Sequence, residues 1–383
     1  MGDAGAITFK ALTSITEVDQ TTWNGWVESD NPFVQHEFLA ALECSGCVSA
    51  ATGWQPNHLL VYLGDQCLGA LPAYRKTHSM GEYVFDWAWA DAWHRHGQPY
   101  YPKLLIAVPF SPVQGPRILV PDKARRHLSA SALHQALDHY ALDVGLHSWH
   151  LLFPDTRDQQ LLTQNGRVQR AGCQFHWFNR DYGSFEDFLA QLTSRKRKSL
   201  RKERTAAVAQ GIEFRWLSGD ALTAQAMEQF YGFYQATYFK RGQEPYLNRR
   251  FYQLLRETMA DRIHLLCAEH QGVVVAGALF LVGGDTLYGR YWGSLEHYDK
   301  LHFEACYYQG IELAIRLGLK RFDAGAQGEH KLIRGFEPVL TASWHWVANA
   351  DFQPAVARFA AEESRQVTAY SESASEALPF RRH

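Results

Sequence analysis

Two segments far apart in the chain repeat one pattern. HLLVYLGDQCLGALPAY (58–74) and HLLCAEHQGVVVAGALFLV (264–282) each read as an apolar strand, a tight turn with glycine, and a second apolar strand. That is a β-hairpin pattern, and strands of this kind must find further partners to bury their faces. The next segments along the chain repeat as well. GEYVFDWAWADAW (81–93) and DTLYGRYWGSLEHY (285–298) both read as a third, aromatic strand. ALDVGLHSWHLLF (141–153) and AIRLGLKRFDAGA (314–326) each read as a helix that stops at a glycine, Gly145 or Gly318, before a new strand.

The copies are offset by 206 residues at the hairpins and 173 at the helix ends, so the first carries about 33 more residues between them. That extra length includes YYPKLLIAVPFSPVQGPRILV (100–120), whose prolines argue for a loop. A period this long marks a duplicated domain rather than a solenoid. The expected division is 1–173 for the first domain, with an insertion around 94–120, 174–365 for the second, and 366–383 as a polar tail. Each copy is expected to be a mixed α/β layer around one sheet. Between them, 174–179 alternates like a strand and Ser184 starts a helix. Gly211 ends the next helix, and 227–240 repeats apolar residues at helical spacing.

The remaining composition excludes several classes. The net charge of −2 gives no global attraction to nucleic acid, so any such surface must be local. Cys44 and Cys47 form a lone CxxC without a second pair, which is half a zinc site and most simply structural. No metal site is expected. No apolar run is long enough to span a membrane, and the first residues do not read as a signal peptide, so a cytoplasmic location is expected.

Six stretches carry a family resemblance. They are NPFVQHEFLAALE, GEYVFDWAWADAW, SRKRKSLRKE, LYGRYWG, LHFEACYYQGIELAI and FDAGAQGEHKLIRGF. Together they span most of the chain, which resembles the FemAB-like, peptidoglycan-biosynthesis-related branch of the GNAT acyltransferase superfamily in proteobacteria. The resemblance implies an α/β fold with a mixed sheet and two tandem GNAT-like acyltransferase domains. It implies acyl transfer to an amine-bearing acceptor: a small molecule, a peptide or a cell-wall precursor. The donor it favours is aminoacyl-tRNA, with acyl-CoA as the alternative. Either is a co-substrate rather than a tightly bound cofactor. A non-catalytic module that binds RNA or a cell-wall precursor is the reading from another class.

Ordinary acetyl-CoA-dependent members carry a glycine-rich turn whose backbone N–H groups hold the pyrophosphate at a helix N-terminus. Here the corresponding turn, GSLEHYDKLHFEACYY, has one glycine together with Glu296, Asp299 and Glu304, carboxylates expected to repel a pyrophosphate.

Amine acylation needs a base for the attacking ammonium, hydrogen-bond donors for the developing oxyanion, and a proton for the leaving group. LYGRYWGS (287–294) and FDAGAQGEHK (322–331) are where the resemblance puts that machinery. His330 is the candidate base or acid by its ordinary pKa, with Glu329 and Tyr291 as further catalytic candidates. A solvated turn around 329–331, and a plain aromatic core position for Tyr291, are the simpler readings. Asp323, Lys331, Arg290 and Trp292 are candidates for substrate binding. Asp86 and Asp91, set among aromatics, are candidates for gripping an ammonium. Lys103 and Arg117 are weaker candidates for an anion site. Seven Lys or Arg lie between 195 and 204, and at helical spacing Arg197, Arg201 and Arg204 share one side. Such a stripe suits tRNA phosphates, although charge runs are usually solvated faces. Oligomeric state is not legible.

Overall fold

A computed structural model describes residues 6–163, 167–326 and 328–381. The chain divides into two compact units. Unit 1 is Met1–Gly172 with Leu340–Ala369, and unit 2 is Cys173–Val339 with Tyr370–His383. The sequence boundaries, 1–173, 174–365 and 366–383, differ from this at the C-terminal end. The reason is strand pairing: residues 343–347 pair antiparallel with 148–152 and so join the first unit.

Unit 1 begins with a three-stranded sheet of β1 (Ile7–Leu12), β3 (His58–Leu63) and β4 (Gln66–Leu71) in the order β1-β3-β4. Its second set of strands runs β2-β5-β6-β7-β14. These are β2 (Trp54–Pro56), β5 (Ala73–Lys76), β6 (Lys103–Ile106), β7 (Ser148–Leu152) and β14 (Glu337–Val347). The expected hairpin at 58–74 is β3 and β4. The expected third strand at 81–93 is not a strand. Gly81 and Tyr83 take left-handed backbone conformations that break extended structure, and Trp87–Arg95 is a helix. Trp89 and Trp93, four residues apart, are buried, while Trp87 and Asp91 are exposed. That is a helical face rather than a strand alternation. The third strand is instead β6, which lies within the stretch read as loop. β6 pairs antiparallel with β5 and parallel with β7.

Unit 2 runs β8-β13-β12-β11-β10-β9, made of β8 (Val168–Phe178), β9 (Ile212–Ser218), β10 (Ile263–His270), β11 (Val273–Gly283), β12 (Thr286–Ser294) and β13 (Arg321–Asp323). Here all three expected strands form. β9 to β12 are antiparallel neighbours, and the step from β12 to β13 is parallel. Both units thus repeat one device, an antiparallel pair followed by a parallel step reached through a helix. The two connecting helices end before Gly145 and Gly318, which adopt φ of +74° and +65°. Only glycine enters that region without steric cost, which makes each a helix stop.

Each unit has its own apolar core. In unit 1, Leu104, Ile106, Trp149, Leu151 and Trp344 are fully buried or nearly so. In unit 2, Trp177, Phe280, Tyr308, Phe322 and Phe336 fill the space between the sheet and its helices. The segment expected as a polar tail, 366–383, is ordered over its described residues 366–381. Of these, 366–376 belong to the helix Gln353–Glu376, and Phe380 bridges to Leu192.

Candidate active site

The site lies in unit 2, where β12 parts from β13. Their parallel pairing covers only Thr286–Tyr288 against Arg321–Asp323, and β12 then continues to Ser294 without that partner. On the other side of β12, the register with β11 shifts between Leu279–Tyr291 and Phe280–Gly289, so Arg290 is the extra residue of a β-bulge. A bulge bends the strand and re-aims its side chains, a common device beside functional sites. The bent strand and the chain after β13 enclose a cavity of about 100 Å³, lined among others by Gly289, Arg290, His302, Tyr307 and Ala324. Trp292 and His302 also line a larger neighbouring cavity of about 590 Å³.

The helix 301–316 closes the cavity. Its segment Glu304–Tyr308 is a π-turn, which aims consecutive side chains differently from an α-helix. The Tyr307 hydroxyl is 2.8 Å from Nε2 of His330, and the two rings pack at 5.6 Å between centroids. His330 sits in a 3₁₀ segment, Glu329–Arg334, after Gly328. Although His330 is exposed at its outer edge, partial burial of the ring, then the charges of Arg334 and Lys331, hold its pKa below the ordinary imidazole value. Burial raises the Tyr307 phenol above its ordinary range. The arrangement is a neutral base bonded to a neutral hydroxyl that lines the cavity.

Arg290 and Asp323 form a buried ion pair, with side chains 4% and 2% exposed. Asp323 also accepts the Gly325 N–H at 3.0 Å. Burial alone would raise its pKa, but Arg290, His176 and that N–H outweigh it and hold the carboxyl far below its ordinary range. Lys331 is buried and donates to the Gly325 carbonyl. Burial lowers its pKa to about 8, partly offset by Asp323, which leaves it mostly protonated at pH 7.

The other sequence candidates separate. Trp292 packs edge-on to His302 at the junction of the two cavities. Tyr291 contacts the small cavity, but its ring packs edge-on to Tyr234 and Tyr252 in an aromatic cluster, as the core reading expected. Glu329 is exposed and accepts the Tyr370 hydroxyl at 2.8 Å. Arg201 pairs with exposed Glu186. Arg204 does not share an outward stripe with Arg197 and Arg201. It turns inward to Glu304 and Glu312, over the Phe185 ring.

Glu304 is therefore buried and neutralised rather than set to repel a phosphate. The larger cavity is lined by Lys240, Arg241 and Lys300 as well as Glu296 and Asp299, which corrects the expectation of a uniformly repulsive turn.

Asp86 and Asp91 belong to unit 1. Asp91 is exposed and pairs with Arg95 one helical turn on. Asp86 is buried and bonded to Lys103 and to the Tyr100 hydroxyl at 2.6 Å. Lys103 also holds Glu82 at 2.8 Å. Arg117 spends its donors on the carbonyls of Val113, Pro116 and Leu152. Neither Lys103 nor Arg117 is thus set out for an anion. Tyr307, His302, Arg334 and Glu203 were not singled out by sequence. The adjacent tyrosines in EACYYQG were the available signal, but helical spacing does not reveal a π-turn.

Two α/β units in tandem, each with an antiparallel pair followed by a parallel step, give the chain a tandem GNAT-like fold, and in unit 2 the bulged strand parts from its parallel neighbour over a cavity. The FemAB-like family, described as peptidoglycan biosynthesis/recognition, matches residues 14–382, and the chain belongs to it. Among solved structures it is similar in fold to FemX, at 11% identity over 88% of this chain and 98% of that one, with a TM-score of 0.52. A C-terminal DUF2156 domain from Agrobacterium fabrum matches at 10% identity over 91% and 97%, with a TM-score of 0.52. A conserved protein of unknown function from Bacteroides thetaiotaomicron VPI-5482 matches at 13% identity over 88% and 98%, with a TM-score of 0.50. No curated protein matches the sequence. Among the described residues, no helix is long and apolar enough to cross a membrane, and no group of three or more His, Cys, Asp or Glu could hold a metal ion.

Proposed function

We propose that the protein forms an amide by moving an aminoacyl group from aminoacyl-tRNA to an amine-bearing acceptor used in peptidoglycan biosynthesis. The observation that carries the chemistry is the Tyr307–His330 contact at the wall of the parted strands. The acceptor amine attacks the ester carbonyl, the N–C bond forms, and the C–O bond to the ribose breaks. The proton leaving nitrogen passes through Tyr307 and His330 to the departing ribose oxygen. The ammonium of Lys331 supplies positive charge for the developing oxyanion. The Arg290–Asp323 pair keeps the strand ends in place, and Trp292 with His302 guides the donor end between the cavities. Glu329, bonded to Tyr370, takes no part.

The tRNA donor is supported by the outer face of the helix Ser194–Val208, where Arg195, Lys198, Arg201 and Lys202 are exposed. One observation favours acyl-CoA instead: Lys240, Arg241 and Lys300 line the cavity at the start of the helix 301–316. The deciding experiment offers the protein charged tRNA and acyl-CoA separately, with muropeptide precursors as acceptors. The expected product is an aminoacylated precursor formed only with tRNA, and slowed by Arg197→Glu with Lys198→Glu. Turnover with acyl-CoA alone overturns the donor. Absence of any transfer, with tight acceptor binding unchanged by His330→Asn, supports the binding-module reading.

A further inference from the structure

Arg334 ties together elements that the sequence keeps apart. Its Nη1 donates to the His330 carbonyl at 2.6 Å, and its Nη2 to the Glu203 carboxylate at 2.7 Å. Its Nε donates to the Tyr308 hydroxyl at 3.1 Å, and the guanidinium lies 3.7 Å from the Phe303 ring centroid. Tyr308 in turn donates to Glu203. Arg334 is only 2% exposed. One side chain therefore clamps three elements: the segment that carries His330, the π-turn that carries Tyr307 and Tyr308, and the helix that carries Glu203. The planar fork of arginine serves this purpose, since lysine cannot reach several partners in fixed directions.

We infer that Arg334, with Glu203 as its counter-ion, is the positioning residue that sets the His330 ring against the Tyr307 hydroxyl. The inference rests on the proton-transfer role proposed for His330, but its test does not. The charged and titratable groups around His330 are Lys331, Arg334 and Glu329 on its own segment and Tyr307 and His302 on the helix 301–316. Glu203 and Arg204 come from the basic helix, where Arg204 is satisfied by Glu304 and Glu312. Arg334 is thus a cation bonded to the His330 backbone, with Glu203 as its bonded carboxylate.

The experiment is an NMR titration of the His330 imidazole in the intact protein without substrate, with the resonance assigned by its loss in His330→Asn. Arg334→Gln is expected to raise the midpoint by about half a pH unit or more, because a nearby cation is removed. Glu203→Gln is expected to lower it, because Arg334 loses its compensating charge. A role limited to holding the fold would instead remove the ring's remaining burial in both variants and raise both midpoints. Arg334→Lys keeps the charge and loses the fork, so the midpoint stays while the His330–Tyr307 ring contacts weaken. Equal shifts in Arg334→Gln and Glu203→Gln, no shift in either, or undiminished ring contacts in Arg334→Lys would overturn the inference. A failed search for the donor leaves each of these readings intact.

Discussion

The Tyr307 hydroxyl and the His330 Nε2 are 2.8 Å apart, one on a π-turn and the other on a 3₁₀ segment 23 residues further along. If they pass the proton, Tyr307→Phe and His330→Asn each lower the rate of acyl transfer by roughly 100-fold or more. The base works unprotonated, so activity falls as pH drops through the His330 midpoint. That midpoint lies below the ordinary imidazole value. A pH profile of kcat/KM on the wild type, corrected for the acceptor ammonium's own ionisation, checks this: a remaining acidic limb centred above pH ~6.5 would contradict it.

Arg290 neutralises Asp323, and both side chains are almost fully buried. Arg290→Met leaves that carboxylate buried and unpaired, at an expected cost of about 3–5 kcal/mol in unit 2. Asp323 has a depressed folded pKa, so its stabilising contribution is present above ~3.9, its ordinary value, and is lost as pH falls through the folded value. Urea unfolding of Arg290→Met at pH 7 measures the loss, and replacing both partners by apolar residues should recover much of it.

In unit 1, burial raises Glu82 to a pKa of about 7 against the pull of Lys103. A carboxyl raised on folding contributes most below its unfolded pKa and loses that contribution as pH climbs from about 4.5 through 7. Glu82→Gln abolishes the titration. The difference in unfolding free energy between variant and wild type should therefore shift in favour of the variant across that window, by at most about 3 kcal/mol. Buried histidines such as His150 and His345 lose stability in the opposite direction on acidification, which is why the difference is the quantity to follow. A flat difference would show that Glu82 does not titrate there.

Arg204 and Arg197 lie on the same basic helix but have different surroundings. Arg204 answers the buried Glu304, whereas Arg197 is half-exposed. Arg204→Glu should destabilise unit 2 by roughly 3 kcal/mol or more. Arg197→Glu should change stability by no more than about 0.5 kcal/mol. Thermal unfolding of the two variants side by side distinguishes a structural arginine from a surface one.

Much of unit 2 was legible residue by residue. The apolar runs of 264–282 on either side of a glycine turn, followed by the aromatic run of 285–298, are the β10–β11–β12 meander. Unit 1 misled at 81–93 because aromatic residues suit strands as well as helices, and only the burial of Trp89 and Trp93 reveals the period. It misled again at 100–120, where KLLI pairs as a strand between prolines. Within the site, His330, Lys331, Arg290, Asp323 and Trp292 were visible as residue types on a strand end and its loop. Their pairings were not.

Local pattern established the duplication, the hairpins and the glycine stops, because these depend on neighbours within a few residues and on backbone sterics. Which charges meet depends on distant approach. Arg204 reaches Glu304 across 100 residues, and Tyr307 reaches His330 across 23. A run of Lys and Arg looks alike whether it faces water or a buried carboxylate. Packing alone turns Arg204 inward, closes Lys103 over two acids, and sets the Tyr307 hydroxyl on His330, since the cost of leaving a buried charge or donor unpaired is felt only once the surrounding elements have removed the water.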